Sequence, residues 1–429
     1  MNSLVLLTVS IAVFGCKEVD PAYCESPVHA GAAVCLDAAS GGGPCKSNNN
    51  CTDKANFPVC DLMDNGGTCV LCTADDHMAC TGVTPTCPNH ACVACANDSD
   101  CGTNGLCLPT GACAASDSII HVSAGGTSAG SCGAKTQPCS LANALGVVDA
   151  MRNVIKLDDP GPYTNNGTSN FNVTANVTIA AGNAVLHRNV DGQPILSISD
   201  NTSATILGGI IEGATATNGD GIRCGTNSTL GVYGTIIRLN DTFGIDAAGC
   251  STVMLSRAQI LSNKRGGVNS VNGRFAIVGN VFANNGDNLN PNSAVKISTG
   301  SDPMNRLEFN TIANNLAQAG VNAGLDCIAG TGFTAHNNII WNNAGGVQIS
   351  GICIHSYSDI GPLTTLVPGS GNRKDDPMLG GTGMWHLGTG SPAIRGADRQ
   401  ADLTGIAAKD IDGDMRVAPA DMGADQVPR

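Results

Sequence analysis

Asp220, Arg223, Arg238, Asp241 and Asp246 form the one dense mixture of acids and bases within the repetitive half of the chain. Acidic side chains holding calcium, beside a basic residue that abstracts a proton, would make a polysaccharide lyase. Their offsets within the local repeat differ, so they are not expected to converge on one face. A hydrolase would instead need paired carboxylates at glycosidase separation, and Glu212 and Glu308 stand alone. His336 and His355 are 19 residues apart and match no metal-ligand spacing. Asp410, Asp412 and Asp414 alternate as calcium ligands can, but without the bidentate glutamate of an EF-hand. A polar turn in which Arg416 pairs with a neighbouring Asp is expected there, with calcium as the alternative. No catalytic, cofactor-binding or metal-binding residue is assigned on these grounds.

The elements that must position such groups begin with cysteine. The chain has 21 Cys in 429 residues, too many for a reducing compartment. Leu4 to Phe14 is an apolar run of about eleven residues, too short to span a bilayer but fitting the core of a signal peptide. It ends at Val13-Phe14-Gly15-Cys16, which resembles a bacterial lipobox with Cys16 as the lipidated residue. Setting Cys16 aside leaves an even number of cysteines, all of which can pair. Lys17 follows and no Asp does; by resemblance to bacterial lipoproteins, that implies the outer membrane or cell surface. The net charge of −13 argues against nucleic acid and acidic membrane surfaces as partners, so the membrane would be met only through the lipid anchor. Aromatics make up 3% of the chain, leaving few rings on which sugars could stack.

Between Cys24 and Cys113 three units of four cysteines follow one another: Cys45, Cys51, Cys60, Cys69; Cys72, Cys80, Cys87, Cys92; Cys95, Cys101, Cys107, Cys113. The residues between are polar and small, so cross-links must replace a core. The Cys69-Val-Leu-Cys72 and Cys92-Val-Ala-Cys95 joints would suit zinc, but export and the positions of His77 and His90 favour disulfides. The spacing resembles the Dickkopf N-terminal type of cysteine-rich repeat.

From Ile119 the pattern changes to short Val/Ile-rich runs. Ser140 opens a helical pattern with Leu141, Ala144, Leu145, Val148 and Met151 on one face. One apolar position then recurs at Ile237, Ile260, Val281, Ile312 and Ile339, with intervals from 21 residues (Ile260 to Val281) to 31 (Val281 to Ile312). A second recurs at Ile222, Ile245, Val268, Val295, Leu325 and Val347. Such periods mark a solenoid, and the short β-branched runs make its strands. Three residues after the first position come Asn240, Asn263, Asn284, Asn315 and Asn342, expected to form an internal asparagine ladder at a rung corner. Cys224 and Cys250 are 26 residues apart, as are Cys327 and Cys353, about one rung in each case. Rungs about 4.8 Å apart match the Cα separation of a disulfide, so each pair should staple neighbouring rungs. Cys132 and Cys139 should close a local loop.

The predicted fold is all-β: a small disulfide-rich domain followed by a right-handed parallel β-helix. The expected divisions are a signal peptide with lipobox (1–16), cysteine-rich repeats (17–116), the β-helix (117–380) and a C-terminal cap (381–429). The strand–helix–strand opening resembles the capped first rung of pectin-lyase-like β-helices. Ser391-Pro392-Ala393-Ile394, Asp410-Ile411-Asp412-Gly413-Asp414-Met415-Arg416 and Asp421-Met422-Gly423-Ala424-Asp425 resemble the closing module of bacterial choice-of-anchor Q proteins, with Arg395 where that motif has Asp. The expected function is a surface binding or structural module for polysaccharide or another surface protein. The alternative is a polysaccharide lyase or hydrolase.

Overall fold

The computed structural model describes residues 42–428, apart from 52–56, 64–66, 77, 103–104, 129, 165–169, 189–191, 272, 290, 300–301, 331–332 and 382–383. Cys16, Cys24, Cys35 and the apolar leader lie outside the described residues. The chain divides into two compact units, Met1–Ser116 and Asp117–Arg429.

In the first unit every four-cysteine repeat closes on itself in the same way, first to third and second to fourth. The pairs are Cys45–Cys60 and Cys51–Cys69, Cys72–Cys87 and Cys80–Cys92, Cys95–Cys107 and Cys101–Cys113. These sulfurs lie close enough together to hold a metal, but each is in a disulfide, so no thiolate remains to bind one. Cys45, Cys51, Cys60 and Cys69 are themselves the core of the first repeat, with Phe57 against them.

The second unit is a parallel β-solenoid of about seven turns. Strand Ile119–Thr127 opens it, and the helix Leu141–Val147 packs across the first rungs. Ser140 Oγ accepts the Asn143 amide as N-cap, and Leu141, Ala144 and Leu145 are buried. The helix ends before Met151, which is exposed. Each later rung contributes three short strands to three parallel stacks. The first stack runs Phe171–Val173, Leu196–Ile198, Ile222–Cys224, Phe243–Asp246, Gly266–Ser270, Val295–Thr299, Leu325–Gly330, Ile349–Gly351. The second, from Ser228–Tyr233 to Ile354–Ser356, puts Val232, Leu255, Ile277, Leu307, Ala335 and His355 inward in one column. The third aligns Ile237, Ile260, Phe282, Ile312, Ile340 and Ile360.

That register corrects the expected repeat at two rungs. The inward residues are Phe282 and Ile340, not their neighbours Val281 and Ile339, and the ladder moves with them. Asn240, Asn263, Asn285, Asn315 and Asn343 form it, ending on Gln348 Oε1. From Asn263 on, each asparagine side-chain oxygen accepts both the backbone N–H and the amide of the asparagine one rung before, at 2.8–3.2 Å. Asn284 and Asn342 lie one residue earlier, exposed, at φ 54°. Leu239, Ser262 and Asn314 occupy the same left-handed corner in their rungs. The corner therefore needs two adjacent residues with different duties. Val281-Phe282 and Ile339-Ile340 are apolar pairs beside Asn-Asn pairs, so the sequence pattern reads equally well when slipped by one. Slipping a strand by one exchanges its faces. Val347 is likewise replaced by Ile349 in the first stack.

A second ladder, unsuspected from the pattern, runs along the other corner through Asn280, Asn310, Asn338, Ser358 and Asn372. Cys224–Cys250 and Cys327–Cys353 join adjacent rungs, and Cys132–Cys139 closes a short loop.

The described residues of 381–429 pack along the flank of the solenoid, while Leu363 and Val367 pack against its core. Val278, Phe309 and Ile339, which point outward, pack on Leu387, Ala393 and Met422. Val281, Ala283 and Ala313 meet Trp385 and Ala424. Rungs with apolar residues on both strand faces must be covered on both. Gly423 N donates to Asn337 O at 2.8 Å and Ala424 N to Thr311 Oγ1 at 3.0 Å, fixing the segment to the rungs.

Candidate functional site

The outward position of the first stack carries one polar residue per rung. In register these are Asn172, Ser197, Arg223, Asp246, Asn269, Lys296, Asp326 and Ser350. No two like charges are neighbours, as stacked rungs require. Asn269 donates to Asp246 at 3.0 Å and Ser350 to Asp326 at 2.5 Å. The sequence held a usable signal for this row, the residue after each of Ile222, Ile245, Val268, Val295 and Leu325.

Three of the five charged residues, whose unequal offsets in the repeat gave no common face, meet here. Arg223 lies between Asp220 and Asp246, its Nε 2.8 Å from Asp220 Oδ2 and 4.0 Å from Asp246 Oδ2. Asp220 is fully buried and also accepts from Thr242 Oγ1 and, at 3.0 Å, from Phe243 N. Burial pushes its carboxyl up, while the bonds from Thr242 and Arg223 pull it down. With its oxygens so engaged, Asp220 positions Arg223 rather than offering a free ligand. Asp246 and Asp326 are three rungs apart with Lys296 between, roughly 14 Å at 4.8 Å per rung, too far to share one cation. Arg238 pairs with Glu212 at 2.6 Å and Asp241 with Lys264 at 2.5 Å, elsewhere on the surface.

A groove of about 500 Å³ lies between the second stack and the closing segment, lined by Arg306, Glu308, His336, Asp398 and Asp402 among others. Arg306 Nη2 donates to Glu308 at 2.9 Å, and Ser356 Oγ is 2.6 Å from His336 Nδ1. His336 faces this groove, whereas His355 faces the core and is held to a pKa of about 4 by burial.

Asp410 organises the turn of the closing segment. Its Oδ1 accepts Asp412 N (3.1 Å) and Asp414 N (2.8 Å), and its Oδ2 accepts Gln426 N (3.0 Å). The Asp412 carboxylate turns to His386 Nε2 at 2.7 Å, and Asp425 joins them with ligand atoms within 4.8 Å of one another. Arg416 makes no carboxylate pair among the described residues. Its guanidinium lies 4.6 Å over the Phe309 ring and donates to the carbonyls of Gly423 and Ala424.

Residues 15–119 match a family of unknown function (DUF8331), where the sequence suggested a Dickkopf-like repeat. No curated protein matches the chain. Among solved structures, pectate lyase Pel9A is similar, with 13% identity over 72% of this chain and 96% of that chain at a TM-score of 0.41.

Proposed function

We propose that this chain is an exported surface protein, lipidated at Cys16, whose β-helix is a binding or structural module for carbohydrate chains. The disulfides, nine among the described residues, mark an extracytoplasmic protein. The observation that carries the binding reading is the outward row from Asn172 to Ser350. It is a rigid polar track with one donor or acceptor per rung, and its charges are balanced within the row. The acids and bases that a lyase would need are already bound to each other at Asp220–Arg223, Glu212–Arg238, Asp241–Lys264 and Glu308–Arg306. The motif in the closing segment supports kinship with choice-of-anchor Q surface proteins.

The test mixes the full-length protein with a panel of acidic and neutral polysaccharides plus calcium. Binding is read by co-sedimentation and chain cleavage by absorbance of unsaturated uronic products and by reducing ends. Retention of a polysaccharide, lost in an Arg223→Ala/Lys296→Ala double variant, without new chain ends, supports the module. Steady release of products would make the chain an enzyme and overturn the reading.

A further inference from the structure

The structure holds an arginine-lined cavity that the polar row does not involve. It has a volume of about 630 Å³, within the range of small-molecule sites. One wall is the corner of the last rung, Tyr357 with Gly371, Asn372 and Arg373; the other is the closing segment from Arg395 to Gln400. Three arginines line it: Arg373, Arg395 and Arg399. Among the described residues none of them is within ion-pair distance of a carboxylate, in a chain whose net charge is −13. Asp398 is the one acid in the lining, and its Oδ1 is occupied by Gln400 N at 3.0 Å.

The backbone under Arg373 and Arg395 is fixed. Arg395 sits at φ 55°, held by its N–H to the buried Asp421 Oδ1 at 2.8 Å. Arg373 is paired with the rung through Arg373 N to Ser358 O and Ile360 N to Arg373 O, and its Nη1 donates to Pro392 O. Asp398 N donates to Asn337 Oδ1 at 2.8 Å. Three guanidinium groups on a preformed frame favour an oxyanion, which the planar fork grips through two parallel bonds. The lining carries two net positive charges once Asp398 is counted. A single carboxylate leaves one of them unbalanced, whereas a phosphate monoester, at −1.5 to −2 near neutral pH, balances both. The half-buried Tyr357 ring, set against Gly371, gives an apolar surface for the group that bears the phosphate.

We propose that this cavity binds a phosphate monoester carried on a small organic group, as in a phosphorylated sugar or a lipid headgroup. Full-length protein would be titrated calorimetrically with glucose 6-phosphate, glucose, glucuronate and inorganic phosphate. It would also be mixed with vesicles containing phosphatidic acid. Glucose 6-phosphate should bind and glucose should not, with inorganic phosphate weaker because it cannot use Tyr357. Arg395→Asp, which the left-handed backbone tolerates, and Arg399→Gln should each weaken binding roughly tenfold or more. Both side chains are exposed, so the melting temperature should hold. Arg395-dependent binding of vesicles without binding of the sugar phosphate would assign the phosphate to a lipid. Equal affinity for glucuronate, insensitivity to Arg395→Asp, or binding of neither millimolar glucose 6-phosphate nor the phosphatidic acid vesicles would overturn the proposal. Inorganic phosphate binding as tightly as the ester would overturn its organic part.

Discussion

Asp359 sits in the third stack beneath the closing segment, with no exposed surface and no hydrogen-bond partner on either carboxyl oxygen among the described residues. Burial, reinforced by Asp375 and Asp376 and opposed by Arg373, raises its pKa from 3.8 to about 7. Between those values the folded protein keeps a proton that the unfolded chain has lost, so stability falls as pH rises from 4 to 7. At about 1.4 kcal/mol per pH decade, the loss attributable to this group is about 4 kcal/mol. Asp359→Asn preserves shape and cannot ionise. Urea unfolding followed by circular dichroism, with disulfides kept oxidised, would be run on wild type and variant from pH 4 to pH 8. The stability difference, variant minus wild type, should grow by about 4 kcal/mol across that range. Any cost of the buried amide is the same at every pH, which leaves the slope untouched. A difference that stays flat with pH would refute the claim that this carboxyl is desolvated.

His355, on the neighbouring strand, carries the opposite sign. Its pKa is lowered from 6.5 to about 4 by burial, so the unfolded chain takes up a proton first and stability falls as pH drops from 6.5 to 4. His355→Leu should remove about 3 kcal/mol of that acid loss, measured by the same titration. Asn285→Ala strips an acceptor from the Asn263 backbone and side chain and should cost about 2–4 kcal/mol, whereas Asn284→Ala should cost about 1 kcal/mol; equal urea midpoint shifts would sink the register. Replacing Cys224 and Cys250 together by Ser should lower stability by about 2–4 kcal/mol, read from thermal melts. Asp410→Ala should lower the melting temperature whether or not calcium is present, because the carboxylate serves three backbone amides; rescue of the wild-type melt by millimolar calcium alone would instead indicate a cation site.

Much of this architecture was legible in the chain itself. Recurrence of β-branched residues at solenoid spacing specifies stacked strands, because only stacking buries such a stripe. Cysteines one rung apart mark neighbours, since rung spacing and disulfide reach coincide. Ser140 before an amphipathic turn sets a helix N-terminus through local hydrogen bonding. Each of these rests on short-range or periodic physics that needs no knowledge of distant contacts. Tertiary structure alone decided the rest. Whether Val281 or Phe282 points inward depends on what covers the other face, and that cover is the closing segment, more than a hundred residues further on. That packing separated Asn284 from Asn285 and placed Arg395 opposite Arg373, while the stacking of rungs brought Arg223 and Asp246 into one row over the buried Asp220. Loops of unequal length hide such meetings in sequence offsets, and only the stacked rungs, each held at a fixed height, restore them.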